Sequence, residues 1–189
     1  MNLDNPTKKN RLSFILMIFI FIIPVVLAKL ALDNNWFNKG ATNRGILLDP
    51  IIEAQSLLGD AQNKWHFVYV LPSECLSECE NAIYSIQQLH TAVGREKNRV
   101  NALFLATEKS ATSLVGQLDG KTGIEVLQTS QESVNNLFKD VDLNAIFIAD
   151  TLHNVVLYYP NTNDREQAIM DSRDMLADLR KLLKLSRIG

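Results

Sequence analysis

Two short, almost wholly apolar runs flanking one long amphipathic segment constrain this chain more than any other feature. The first, Trp65-His66-Phe67-Val68-Tyr69-Val70-Leu71, is aromatic and β-branched, and the second, Val100-Asn101-Ala102-Leu103-Phe104-Leu105-Ala106, is bounded by polar turns. Runs of this kind read as buried strands. Between them Leu76, Cys79, Ile83, Ile86, Leu89 and Val93 recur at helical spacing, which predicts a helix over 76–92. The order is strand, helix, strand.

Downstream, 110–118 and 130–138 read as short helices on either side of a brief extended stretch at 124–127. Two further strands are predicted at 145–149 and 154–159, and the four residues Asp150-Thr151-Leu152-His153 between them suit a hairpin. A closing helix over 164–185 carries Ile169, Leu176, Leu179, Leu182 and Leu183 along one side. Residues 46–58 could form an entry hairpin or a loose helical turn. A central βαβ unit followed by a hairpin and a helix is the element order of the thioredoxin fold, an α/β fold with a mixed sheet flanked by helices.

Ahead of this domain, Lys8, Lys9 and Arg11 precede an apolar stretch from Leu12 to Leu32. As a helix it would rise roughly 31 Å, about the thickness of a hydrocarbon core, with Lys29 able to snorkel outward. A cleaved signal peptide is the rival reading, since Val26-Leu27-Ala28 offers small residues for processing. The stretch is longer than such segments usually are, which favours an uncleaved transmembrane anchor. Positive residues before the span keep the N-terminus cytoplasmic. The expected organisation is therefore a cytoplasmic segment 1–11, an anchor 12–32 in inner-membrane lipid, a polar tether 33–49 and a periplasmic domain 50–189. A net charge of −2 supplies no basic footprint for nucleic acid.

Cys75 and Cys79 are the only cysteines. They follow the first strand where it turns into the helix, a position in which backbone N–H groups and the helix macrodipole favour a thiolate. An exported domain lies where disulfides persist. The pair could act as a reversible dithiol, as two thiolate ligands for Cu(I), or as a structural disulfide. Glu74, Glu78 and Glu80 crowd the sulfurs and oppose thiolate formation. His153, at the hairpin tip, would be a third metal ligand only if the hairpin folded back toward the helix opening. His66 reads as a hydrogen-bonded core residue, and His90 lies too far along the helix to share a metal with Cys79. No serine triad, P-loop, dinucleotide fingerprint or zinc spacing appears.

The helix-opening cysteines and the late hairpin Ile146-Phe147-Ile148-Ala149-Asp150 … Asn154-Val155-Val156-Leu157-Tyr158-Tyr159-Pro160 resemble the thioredoxin superfamily. The three-residue gap between the sulfurs resembles its Sco/SenC branch, membrane-anchored copper chaperones and thiol reductases that help assemble the CuA centre of cytochrome c oxidase. Over nearly the whole chain, Asn38-Lys39-Gly40, Thr42-Asn43-Arg44-Gly45, Leu47-Leu48-Asp49-Pro50 and the ending from Asp178 to Gly189 are similar to gammaproteobacterial transmembrane proteins associated with cytochrome oxidase.

The resemblance implies a periplasmic accessory protein for oxidase assembly, with Cys75 and Cys79 handling thiols or Cu(I). Its partner would be the copper-binding oxidase subunit or another assembly factor. The alternative is a non-catalytic scaffold that binds either of these and uses the cysteines as a clip. Two departures stand out. The histidine that completes the Sco copper site would fall near Asp142 or Leu143, where there is none, and the proline that precedes the late strand in thioredoxins is absent from Val141-Asp142-Leu143-Asn144-Ala145. Arg180, Lys181, Lys184 and Arg187 form a basic tail that could touch anionic lipid or an oxidase subunit.

Overall fold

A computed structural model describes residues 6–33 and 43–186, with side chains from Ser13 onward. The chain divides into two compact units, 1–42 and 43–189. In the first, a helix α1 (Pro6–Asp33) contains the apolar segment Ser13–Asp33, with a mean hydropathy of 2.9. By length and composition it can cross a bilayer once. Residues 6–11, expected to precede the span, are already helical. The expected tether lies outside the described residues at 34–42, and its last four residues, 46–49, are strand.

The second unit is a six-stranded mixed sheet. Its strands are β1 (Ile46–Glu53), β2 (Trp65–Val70), β3 (Val100–Ala106), β4 (Ile124–Gln128), β5 (Ala145–Ala149) and β6 (Asn154–Pro160), in the spatial order β1-β6-β5-β2-β3-β4. β2, β3 and β4 run parallel; β5, β6 and β1 are antiparallel to their neighbours. The two apolar runs sit in the middle, and every residue of β2 and β3 is buried, because helices cover both faces.

Alternation along β2 sorts the core. Trp65, Phe67 and Tyr69 pack with Cys79, Ile86 and Leu89 of α3 (Ser77–Ala92) and with Met175, Leu179 and Leu183 of α6 (Arg165–Leu185). Val68 and Val70 face the other way, onto Leu58 of α2 (Gln55–Leu58) and Val134 of α5 (Gln131–Leu137), with Phe138 just beyond that helix. A further helix, α4 (Thr112–Leu118), precedes β4.

Two positions depart from the helical pattern read in the sequence. Leu76 is 64% exposed, one residue before α3 begins, and Ile169 is exposed at a shallow groove between α3 and α6. Ala82 and Ala168, too small to register as a stripe, are buried in their place. The stretch 46–58, expected as an entry hairpin or a loose helical turn, is the edge strand β1 followed by the short helix α2.

Asp178 of α6 ties the entering chain to the domain. It is fully buried and accepts from the backbone N–H groups of Arg44 (2.6 Å) and Gly45 (2.9 Å), from the Tyr159 hydroxyl (2.8 Å) and from Lys181 Nζ (3.1 Å). Arg44 also pairs with Asp174. Burial opposes ionisation of Asp178, yet the donors from Gly45, Tyr159, Arg44 and Lys181 together hold its carboxyl below the usual range.

Candidate functional site

Cys75 and Cys79 are joined in a disulfide, with Cα atoms 5.2 Å apart, where the chain leaves the C-terminal end of β2 and enters α3. β2 stops where Pro72 cannot donate to a ladder. The local fold then dictates an asymmetry between the sulfurs. Cys79 lies in the first turn of α3, on the side facing the sheet, and is 4% exposed; Cys75 precedes the helix and is half-buried.

Each cysteine borders a different groove. Cys79, Tyr69, Pro72 and Glu78 line one of about 520 Å³, closed on its far sides by Lys109 and Gln131, which follow β3 and β4, and by the loop Asp142-Leu143-Asn144. Cys75 lines a second, of about 350 Å³, between α3 and Leu114 and Gln117 of α4. The larger groove lies beyond the carboxyl ends of the parallel strands, where open α/β sheets usually bind ligands.

Polar contacts hold the larger groove's walls. Asn144 Nδ2 donates to Glu78 Oε2 at 2.6 Å, joining the loop before β5 to the helix of the cysteines. Ser110 Oγ donates to the Leu71 carbonyl at 2.6 Å, and Gln131 Oε1 accepts from Thr107 Oγ1 at 3.0 Å. The Tyr69 hydroxyl is pushed up to about 12, first by burial and then by the Glu78 carboxylate, so it stays a neutral donor. Of the acidic trio around the sulfurs, Glu74 and Glu78 reach this groove and Glu80 lines the other.

The remaining candidates lie elsewhere. His153 stands in the β5–β6 turn, and His66 pairs with Ala149 at the start of β2. Cys75 lies beyond the other end of that strand, Val70, which is itself about 13 Å from His66 at the usual rise per residue. The hairpin does not fold back, and His153 is buried instead of being solvated at a tip. On this ground His153 does not stand as a third ligand beside the sulfurs. His66 is the core residue expected, with Nε2 donating to the Gln62 carbonyl at 2.7 Å, and burial holds its imidazole below the ordinary range. Among the described residues no group of three or more His, Cys, Asp and Glu is placed to hold a metal.

Asp142 and Leu143, where the resemblance would put an imidazole, do line the same groove as Cys79. Tyr69, Lys109, Gln131 and Asn144 were not singled out from sequence. The usable signal was topological, since each sits at or after the carboxyl end of a parallel strand or in the loop that faces it.

The family model described as "transmembrane-like, thioredoxin-like, C-terminal domain" matches residues 65–186. The chain belongs to this family. The match spans every strand except β1 and reaches the end of α6. No curated protein matches the chain by sequence. Among solved structures, yeast Sco1 superposes with a TM-score of 0.51 at 12% identity, covering 79% of this chain and 98% of that one. Copper-bound ScoI of Bradyrhizobium japonicum gives 0.43 at 16% identity, with 68% and 97% covered. A DsbF homologue from Corynebacterium diphtheriae gives 0.44 at 13% identity, with 74% and 98% covered. The likeness to yeast Sco1 establishes the fold of this transmembrane-like thioredoxin-like domain.

Proposed function

We propose that this protein is a membrane-anchored accessory factor of cytochrome c oxidase assembly, whose Cys75–Cys79 pair exchanges thiol and disulfide with the oxidase's copper-binding subunit or delivers Cu(I) to it. The observation that carries the reading is the asymmetric pair itself. One sulfur-bearing residue is partly exposed, its partner is buried, and each borders a groove.

In the exchange, the reduced Cys75 thiolate attacks one sulfur of a client disulfide, and the other client sulfur leaves as a thiolate. Cys79 then attacks Cys75 in the mixed disulfide, releasing a client dithiol and closing the Cys75–Cys79 bond. The client gains two electrons, and an external dithiol restores the starting state. As cargo, Cu(I) would meet two soft thiolates in the reduced pair. A client tethered to the same membrane needs no tight affinity, because confinement raises its effective concentration. The positive residues before the span support a periplasmic location for the domain.

The test is oxidase assembly in cells carrying Cys75→Ser or Cys79→Ser. Loss of assembled oxidase in both variants is the expected outcome. The scaffold reading is favoured by one observation, the carboxylates of Glu74, Glu78 and Asp142 on the groove beside the pair, which disfavour a thiolate. It requires normal assembly in the serine variants and failure only when the anchor is deleted.

A further inference from the structure

A second pair of unused donors lies at the end of the sheet opposite the cysteines. His66, on β2, and His153, in the β5–β6 turn, are each 1% exposed, and their rings stand 6.0 Å apart with a tilt of 33°. Each ring is pinned through one nitrogen. His66 Nε2 faces the Gln62 carbonyl at 2.7 Å, and a carbonyl only accepts, so Nε2 carries the proton and Nδ1 an open lone pair. His153 Nδ1 faces Gln55 Oε1 at 2.9 Å, so Nδ1 donates and Nε2 is left with the lone pair.

Both open nitrogens are buried and lack a hydrogen-bond partner. Burying one such acceptor unsatisfied is costly, and two together call for a ligand. His153 has a backbone φ of 63°, uncommon for a residue other than glycine.

Neutral imidazole nitrogens bind Lewis acids of the borderline and soft kind. A tetrahedral zinc would need four ligands, and among the described residues no third His, Cys, Asp or Glu joins this pair. A monovalent d¹⁰ cation accepts two. With metal–nitrogen bonds of about 2 Å, two imidazoles on opposite sides of one ion have ring centres about 6 Å apart.

We propose that His66 Nδ1 and His153 Nε2 form a two-coordinate site for Cu(I), separate from the cysteines. The buried positive charge has a counter-charge in reach. Asn101, the β3 neighbour of His66, donates from Nδ2 to Glu125 on β4 at 3.4 Å, presenting a carboxylate on the same side of the sheet. Lys64 is the opposing cation near His66. Gln55 and Gln62, which pin the rings, both belong to the segment between β1 and β2, so this segment is the cover an entering ion must displace. The site does not depend on any role of the sulfurs.

The experiment uses the full-length protein in detergent with its disulfide closed, titrated with Ag(I) as a redox-inert probe for Cu(I). A closed disulfide offers no thiolate. One equivalent is expected to bind, shifting the ¹⁵N resonances of His66 Nδ1 and His153 Nε2. Binding at that site is expected to weaken by about tenfold or more in His66→Gln and His153→Gln, and to persist in the Cys75→Ser/Cys79→Ser double variant. Should the glutamine variants not fold, the nitrogen shifts of the wild-type protein decide. Unmoved imidazole resonances at saturating Ag(I), whether or not silver binds elsewhere, would overturn the proposal and leave a buried water as the occupant.

Discussion

Asp178 illustrates how much of the domain can rest on one side chain. A fully buried carboxylate with four donors collects the start of the described domain, the end of β6 and its own helix around a single charge. Replacing it with alanine leaves two backbone N–H groups and the Tyr159 hydroxyl without their acceptor, and is expected to cost about 3 kcal/mol in urea unfolding at neutral pH. The pH dependence has a definite sign. Because the native carboxyl titrates below its unfolded value of about 4, its contribution is fully present above that pH and is lost as pH falls through the lower native value. The gap between wild type and Asp178→Ala is therefore expected to narrow on acidification below about pH 4. Equal gaps at pH 7 and pH 3 would show that the carboxylate's charge is irrelevant. The sequence did not mark this role of Asp178, since Tyr159 lies 19 positions away, the backbone donors of Gly45 and Arg44 lie 133 and 134 away, and only Lys181 is local.

At the level of elements, α6 depends on its start as well as on its apolar face. Asp164 occupies the N-cap and its Oδ1 accepts from the N–H groups of Glu166 (2.8 Å) and Gln167 (3.4 Å). Asp164→Ala is expected to lower stability by about 1 kcal/mol and to leave the fold intact, as read by thermal unfolding and far-UV circular dichroism. An unchanged midpoint would mean the cap is redundant with packing of Met175, Leu179 and Leu183. The strands β2 to β6 and the helices after them were legible in sequence because each carries its own period or its own turn residues. β1 was not, because Pro50 interrupts it and its edge position leaves Ile46, Leu47 and Ile51 exposed. Its pairing partner is β6, distant in sequence. Leu76 and Ile169 depart from the pattern for a related reason: spacing identifies a helical face, but the turn at which a neighbour stops covering that face is set by tertiary packing.

For the molecule as a whole, the apolar N-terminal helix and the cysteine corner were readable from local sequence, whereas the groove beside Cys79 was not, because it is assembled from loops after β2, β3 and β4 and before β5. The same applies to the histidines, whose meeting depends on the register of β5 with β2. Of the basic tail, Arg180 donates to the Ala92 carbonyl at 3.0 Å and Lys181 pairs with Asp178, so both serve the domain itself, and Arg187 lies outside the described residues. The proposed division of labour between a partly exposed Cys75 and a buried Cys79 has one direct test: whether Cys79→Ser, which can attack but not resolve, accumulates a mixed disulfide with the copper-binding oxidase subunit in intact cells. A reductant-sensitive adduct through Cys75, absent from the Cys75→Ser variant, is the expected result. Absence of any adduct, in cells of the Cys79→Ser variant that still assemble normal amounts of oxidase, would contradict it.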